Sequence, residues 1–507
     1  MENNMKKAFL ILIALILAIS SFTACQSGDK PDDPAAESSS AGGSNESGNQ
    51  ESGDQTPAPT ETEPDMGIPD GLDYEDNTVQ IFHWLSGTTE FDVDVTTMTG
   101  EPVEDAVYKR NLYTEEKLNV ELEFTGSDGQ RGKEDAFCNA IKNRTSDPST
   151  PVDIIASYAR TTATAAISGL LFDLNQLDNL DLEKEWWPKN VQEEYNVRDR
   201  LYFLSGDIST SLLNNMSVIF YNTDMITARG FDDPIHTAID GDWTLDKMIE
   251  MTQNSYEDID DASGKSDGDI FGLSCRYWYL DSMYQAHGYK IVTKAPSDSD
   301  SILKYSDELF GPVVESWIGK MQDWLCSNIF IESEKSTDMF KENRLLFQLS
   351  YAYFGQYYRD TDIKYSILPL PKLDSQQEDY ISSPGNTFTL YGICNKSPDI
   401  ERAAATLQVM GYYAQELTTP ALFDVTLKGR YSKNEDMFQV WDIIGSTISF
   451  DMGRLFQAQL SAPEDMITMA IVNNTNWATV ISPFGIKARE KLLRNINLKF
   501  ENVIESE

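Results

Sequence analysis

The side chains that carry covalent chemistry are few and scattered. The chain has three histidines, His83, His236 and His287. None stands in an H-E-x-x-H run or in a serine–histidine–aspartate arrangement that sequence can support. Gly126 to Gly132 is glycine-rich and runs into Lys133, but Glu134 stands where a phosphate-cradling loop needs serine or threonine, so the stretch reads as a polar turn. Asp92 and Asp94 offer a carboxylate pair of the kind a glycosidase uses. Among 82 acidic residues a chance pair is expected. Apart from Cys25 there are four cysteines, Cys138, Cys275, Cys326 and Cys394, with no C-x-x-C spacing. They read as buried single thiols, with one disulfide left open, and there is no zinc framework. No catalytic residue, metal or cofactor is expected. What the chain does have is rings: 23 Tyr, 23 Phe and 9 Trp. An aromatic face suits the apolar C–H face of a pyranose, and the hydroxyls of a sugar need carboxylates, amides and arginine. That is recognition without bond making.

The elements that would hold such rings follow from periodicity. Thr78 to Trp84 is apolar on alternate positions and reads as a strand. Asp105 to Leu118 has a helical stripe, Val120 to Phe124 alternates strictly, Phe137 to Lys142 is helical, and Val152 to Ala156 is a short buried strand. This is a βαβ order and predicts a largely parallel sheet covered on both faces. In such sheets ligands sit at the carboxyl ends of strands, here the loops from Trp84 to Gly87 and from Ser157 to Arg160. The theme repeats between about 210 and 372, with strands at Met216–Tyr221, Ile270–Leu273, Leu345–Leu349 and Lys364–Leu368. Helices are expected at Trp243–Met251, opened by Asp242 or Thr244, and at Glu315–Cys326. Thr387–Ile393 is one more strand, Ile400–Tyr413 a strong helix, and the last ninety or so residues are mostly helical. No fixed-period repeat is present.

The first 25 residues are of another kind. Lys6 and Lys7 precede an apolar run from Ala8 to Ile19, and small residues close it before Cys25. Charge, length and cleavage chemistry are those of a secretory signal, and the run is short for a membrane span of about 20 residues. Phe22-Thr23-Ala24-Cys25 resembles the lipobox of bacterial lipoproteins, with Phe22 where leucine is usual. The resemblance implies cleavage after residue 24 and acylation of Cys25. Residues 26 to about 75 are Ser, Gly, Pro, Thr and acids, a composition that cannot offset its chain entropy and predicts a disordered tether.

Net charge is −42. Once the +1 of the signal and the −12 of the tether are set aside, residues 76–507 carry −31. A surface this acidic argues against nucleic acid and against adsorption to anionic headgroups. It says little about a small ligand.

Several short segments, taken in order, resemble the extracellular solute-binding proteins of bacterial ABC importers, in the sugar-binding group of the maltodextrin-binding type. They are Asp153-Ile154-Ile155 with Ser168 to Leu174, Leu201-Tyr202-Phe203 with Gly206-Asp207, Gly241-Asp242-Trp243-Thr244, Tyr365 to Pro371, and Thr387 to Ile393 with Asn395 to Pro398. The resemblance runs from about 77 to the C-terminus. It implies an α/β fold of periplasmic-binding-protein type II, with two lobes, crossing hinge segments and a cleft between them. Residues 76–507 form this domain: a first lobe of about 76–210 plus 373–412, and a second of about 211–372 plus 413–507.

By the same resemblance Trp84, Tyr158, Asp207, Tyr277 with its neighbours Trp278 and Tyr279, and Tyr351 beside Tyr353 fall where the family lines its cleft. Each also has a plain packing or hinge role as an alternative. Trp186-Trp187-Pro188 reads as packing under a lobe edge, and Trp243 as a helix anchor. The function implied is capture of a small solute, a saccharide by preference, outside the cell and its delivery to a membrane permease by a lipid-anchored monomer. A surface enzyme acting on glycans, an adhesive surface protein and a receptor for a non-sugar solute remain the alternatives.

Overall fold

A computed structural model describes residues 64–85, 92–260, 262–482 and 485–507. The signal, Cys25, the tether as far as 63, and Ser86 and Gly87 of the expected ligand-edge loop lie outside the described residues. The folded unit begins at Pro64, ahead of the boundary expected at 76. Met66 is buried, Ile68, Leu72 and Tyr74 pack on the core, and Tyr74 N–H donates to Leu118 O at 2.9 Å. Four apolar side chains in an otherwise polar stretch hold it down, and an average over composition hides them.

The strands are β1 (Asn77–Trp84), β2 (Val120–Ser127), β3 (Ile154–Tyr158), β4 (Ser217–Asn222), β5 (Phe271–Ser274), β6 (Val292–Lys294), β7 (Leu303–Tyr305), β8 (Phe330–Ile331), β9 (Leu345–Tyr351), β10 (Tyr365–Leu368) and β11 (Thr389–Ile393). One sheet has the order β11-β3-β1-β2, a second β10-β4-β9-β5-β8, and β6 and β7 form a separate pair. β1 runs parallel to both β2 and β3, so Ile81 lies level with Phe124 on one side and Ile154 on the other. The expected cover on both faces is seen here. Because β1 is an inner strand of a covered parallel sheet, Gln80 and His83 are buried as well.

Local chemistry sets the connections. The first helix starts at Pro102, three residues before its apolar stripe, because proline at the first helical position gives up no hydrogen bond and Glu104 and Asp105 suit the positive end. It stops at Asn119, which takes the left-handed conformation at φ 50° and leads straight into β2. The helix after Trp243 runs Leu245–Thr252 with Thr244 at its start, and Thr244 makes no side-chain cap. Trp243 is an anchor, fully buried with Nε1 donating to Pro369 O at 3.2 Å. Trp186 and Trp187 are packing residues too. Both are buried against Gly411, where a Cβ would lie 2.5–2.6 Å from their rings.

Three crossing segments lie side by side between the sheets. Met216 bridges Pro384 and Leu204 bridges Tyr391, while Ser382 bridges Ile448. Asn215 Nδ2 donates to Thr387 O at 2.9 Å and Gly385 N to Asn215 O at 2.7 Å. Asp92 serves this hinge. Its carboxylate accepts from Thr210 Oγ1 at 2.5 Å and Ser211 Oγ at 2.6 Å, which occupies it structurally. Residues 413–507 touch both lobes rather than the second alone. In the last helix, Gly485–Ser506, the Phe500 ring lies 6.3 Å from Tyr202, and Asn497 bonds both ways with Leu303 of β7 at 2.9 Å. The four cysteines among the described residues are free; Cys138, Cys275 and Cys394 are buried, whereas Cys326 is exposed at a helix end rather than buried as expected.

Candidate ligand-binding site

Two sheets bring rings to their carboxyl ends. Trp84 is the last residue of β1 and Tyr158 the last of β3, and because these strands are parallel neighbours the two rings lie 5.4 Å apart. Trp84 Nε1 donates to Thr389 Oγ1 at 3.1 Å on β11, on the far side of β3. In the second sheet β5 leads into the short turn Tyr277–Tyr279, and β9 ends at Tyr351. β5 and β9 are parallel, and the rings of Tyr279 and Tyr351 meet edge to face at 4.6 Å. Gly385 of a crossing segment lies against the Tyr351 ring, where a Cβ would fall 2.4 Å from it.

The two strand ends meet at a seam of charges. Arg160, in the first turn after β3, places Nη2 3.2 Å from Oε2 of Glu464. Glu464 opens the helix Pro463–Val472 and also lies 3.3 Å from Arg454 Nε. Arg454 Nη2 donates to Asp281 at 2.8 Å, and its Nη1 to Ser383 Oγ at 2.7 Å and Pro384 O at 2.6 Å on the crossing segment. Beside this chain Arg131 donates to Asp465 at 2.6 Å and lies within electrostatic reach of both the Tyr158 and Tyr277 phenols, one from each lobe. Arg160, Arg454 and Glu464 are almost wholly buried. Burial pushes the Glu464 carboxyl up, and Arg454 and Arg160 pull it back. Burial likewise raises the phenols of Tyr158 and Tyr351. A cavity of about 10 Å³ lined by Asp281, Arg454 and Glu464 has the size of one water. The seam is therefore closely packed around that cavity.

Several buried polar atoms at the seam lack a hydrogen bond: Oε1 of Glu134, Gln457, Gln459 and Glu464, and Nε of Arg160 and Arg454. Each such atom costs about 1–3 kcal/mol relative to a satisfied one.

Of the residues singled out by sequence, Trp84, Tyr158, Tyr277 and Tyr351 belong to this group. Trp84 is fully buried behind Tyr158, so it backs the site and presents no open face. Trp278 stands at the rim, partly exposed, with the Arg276 guanidinium 4.3 Å from its ring centroid. Asp207 is drawn elsewhere. Its Oδ1 accepts from Thr419 Oγ1 at 2.9 Å, and burial pushes its carboxyl up to about 6. Sequence reading missed Arg131, Arg160, Asp281, Arg454, Glu464 and Asp465. One signal was there: proline followed by two acids at a helix start, as in Pro463-Glu464-Asp465. Away from the seam, ligand atoms of Asp258, Asp260 and Asp269 lie within 4.8 Å of one another, but Asp269 accepts from its own loop at Ile259 N and Ser266 N.

No family model matches the chain, and no curated protein does. Solved structures do. The GacH receptor of Streptomyces glaucescens, studied with acarbose, aligns over 83% of this chain and 99% of its own at 13% identity and a TM-score of 0.53. The galacto-N-biose/lacto-N-biose I-binding protein of the Bifidobacterium longum ABC transporter aligns over 83% and 98% at 13% identity and a TM-score of 0.55. MalE, the maltose-binding periplasmic protein of Listeria monocytogenes, aligns over 85% and 99% at 14% identity and a TM-score of 0.53. At these identities the likeness is one of fold. The chain has the two-lobed α/β fold of the periplasmic-binding-protein type that these sugar-binding transport proteins share.

Proposed function

We propose that the chain is the substrate-binding component of an ABC importer, which captures a saccharide between its lobes and passes it unaltered to a membrane permease. The observation that carries this is the seam itself. Rings from the strand ends of both sheets converge on it, beside buried arginine and carboxylate groups suited to a polar guest. Structural neighbours named for acarbose, lacto-N-biose and maltose support a sugar. The signal and Cys25 support a lipid-anchored place on the outer face of the membrane, with the acidic stretch up to 63 as tether. Among the described residues no helix is long and apolar enough to cross a membrane. Closure would be coupled to the ligand because only a guest that binds the closed state better shifts the lobes toward it.

A thermal-shift screen of the full chain against mono- and oligosaccharides, peptides and metal ions tests the reading. A ligand at about 100 times its dissociation constant stabilises the native state by about 2.7 kcal/mol. A sugar hit is the expected outcome. A peptide or a metal as the only hit discards the sugar.

A further inference from the structure

The passage from the helix Ile400–Tyr413 to the helix Glu435–Ser446 is built unlike the other helices among the described residues. Ala414–Thr418 and Ala421–Tyr431 are π-helical. Here an amide reaches five residues back instead of four, as Thr419 N–H does to Ala414 O. Two hydroxyls keep the same spacing: Thr426 Oγ1 donates to Ala421 O at 3.0 Å, and Ser432 Oγ to Leu427 O at 2.9 Å. The sequence supplies a cause. Pro420 stands between the two stretches, has no N–H to give, and in an α-helix its ring would strike the carbonyl of Glu416. Wider turns relieve that clash. A π-helix is rare, is mostly a single turn, and is frequent at functional positions, so two successive stretches of it call for a reason.

The two ends of the segment are fixed to different lobes. At its start Gly411 abuts Trp186 and Trp187, Tyr413 lies 5.5 Å from Tyr113, and Thr419 Oγ1 donates to Asp207 Oδ1 at 2.9 Å. These partners belong to the first lobe. At its end Tyr431 packs on Gly355, where a Cβ would fall 2.6 Å from the ring, and Tyr431 O accepts from the Tyr365 hydroxyl of β10. Lys433 Nζ donates to Arg359 O at 2.9 Å. These partners belong to the second. A link fixed at both ends follows a change of lobe angle only by changing its own length or twist. Exchanging five-residue for four-residue spacing changes both, because it alters the number of residues in each turn.

We propose that residues 414–431 are the adjustable link of the hinge, in which the balance of π- and α-turns sets the angle between the lobes. This rests on the two-lobed fold and not on the identity of the ligand.

The test needs no ligand. Hydrogen exchange of the full chain is followed by mass spectrometry in the parent, in Pro420→Ala and in Gly429→Ala. Pro420→Ala restores the missing N–H and removes the ring. Gly429→Ala puts a Cβ 3.0 Å from Asp424 O, five residues back, and so presses on a π-turn. Neither position is part of the seam. In each variant the exchange rate is expected to change at least fivefold more at the seam, in 157–164 and 463–472, and in the crossing residues 381–386 than in β1 and β9. A change confined to 414–431, or no change, makes the segment a passive connection and overturns the proposal. A shift spread evenly over the chain is a change in global stability and overturns it too. If one variant does not fold, the other decides.

Discussion

Arg160 and Glu464, 304 positions apart in sequence, meet across the seam at 3.2 Å with both side chains almost wholly buried. Glu464 also faces Arg454, so its removal leaves two buried guanidinium groups short of a partner. Breaking a buried pair from one side costs about 3–5 kcal/mol. Glu464→Ala is expected to lose stability on that order in urea unfolding. A variant within about 1 kcal/mol of the parent contradicts the network.

Arg131 and Asp465 bridge the same seam but lie open to solvent, with Arg131 57% exposed. An exposed pair is worth under about 1 kcal/mol and is screened by salt. Arg131→Ala is expected to move the unfolding midpoint little, and still less in 1 M salt. A loss as large as that of Glu464→Ala would show that the pair is not the surface contact it looks.

Asp207 carries a pH signature. Burial lifts its folded pKa to about 6 from an ordinary 3.8. The folded state then holds a proton that the unfolded state has lost, so this group's stabilisation is full below about pH 4 and fades as pH rises to about 6. Discounted for partial exposure, the swing is about 2 kcal/mol. Asp207→Asn is expected to flatten the fall of stability between pH 4 and 6, measured by urea unfolding across that range. An unchanged slope would mean that Asp207 is not the titrating group.

Trp84 and Trp278 are expected to part company in stability. Trp84 is 1% exposed behind Tyr158, and truncating a buried tryptophan costs about 3–5 kcal/mol. Trp278 is 38% exposed at the rim, and its truncation is expected to cost under about 1 kcal/mol. Thermal unfolding of the two alanine variants checks this. Equal losses would place both rings in the core.

The sheets were legible because periodicity and turn residues mark them locally. Ile400–Tyr413 falls where its apolar pattern puts it, and β3 shifts only from Val152–Ala156 to Ile154–Tyr158. Trp84 and Tyr158 were legible for the same reason: a strand end is a local event. The seam was not. Arg160 and Glu464 gain their meaning from a meeting set by tertiary packing, and neither segment on its own carries a signal of the other. Met66 to Tyr74 was misread because a few apolar anchors decide the outcome while the composition around them stays polar. Asp207 was placed in the cleft by position along the chain, and Thr419, which holds it, comes from a segment more than 200 residues away.

The most direct test is titration calorimetry of the tightest-binding oligosaccharide against the parent chain and Trp278→Ala. The account predicts one saturable site in the parent, no heat after saturation, and affinity lower by more than about 1 kcal/mol in the variant, since an aromatic platform contributes on that order. Heat that continues after saturation would mean turnover and an enzyme. Equal affinity in the two chains would take the Trp278 rim out of the site.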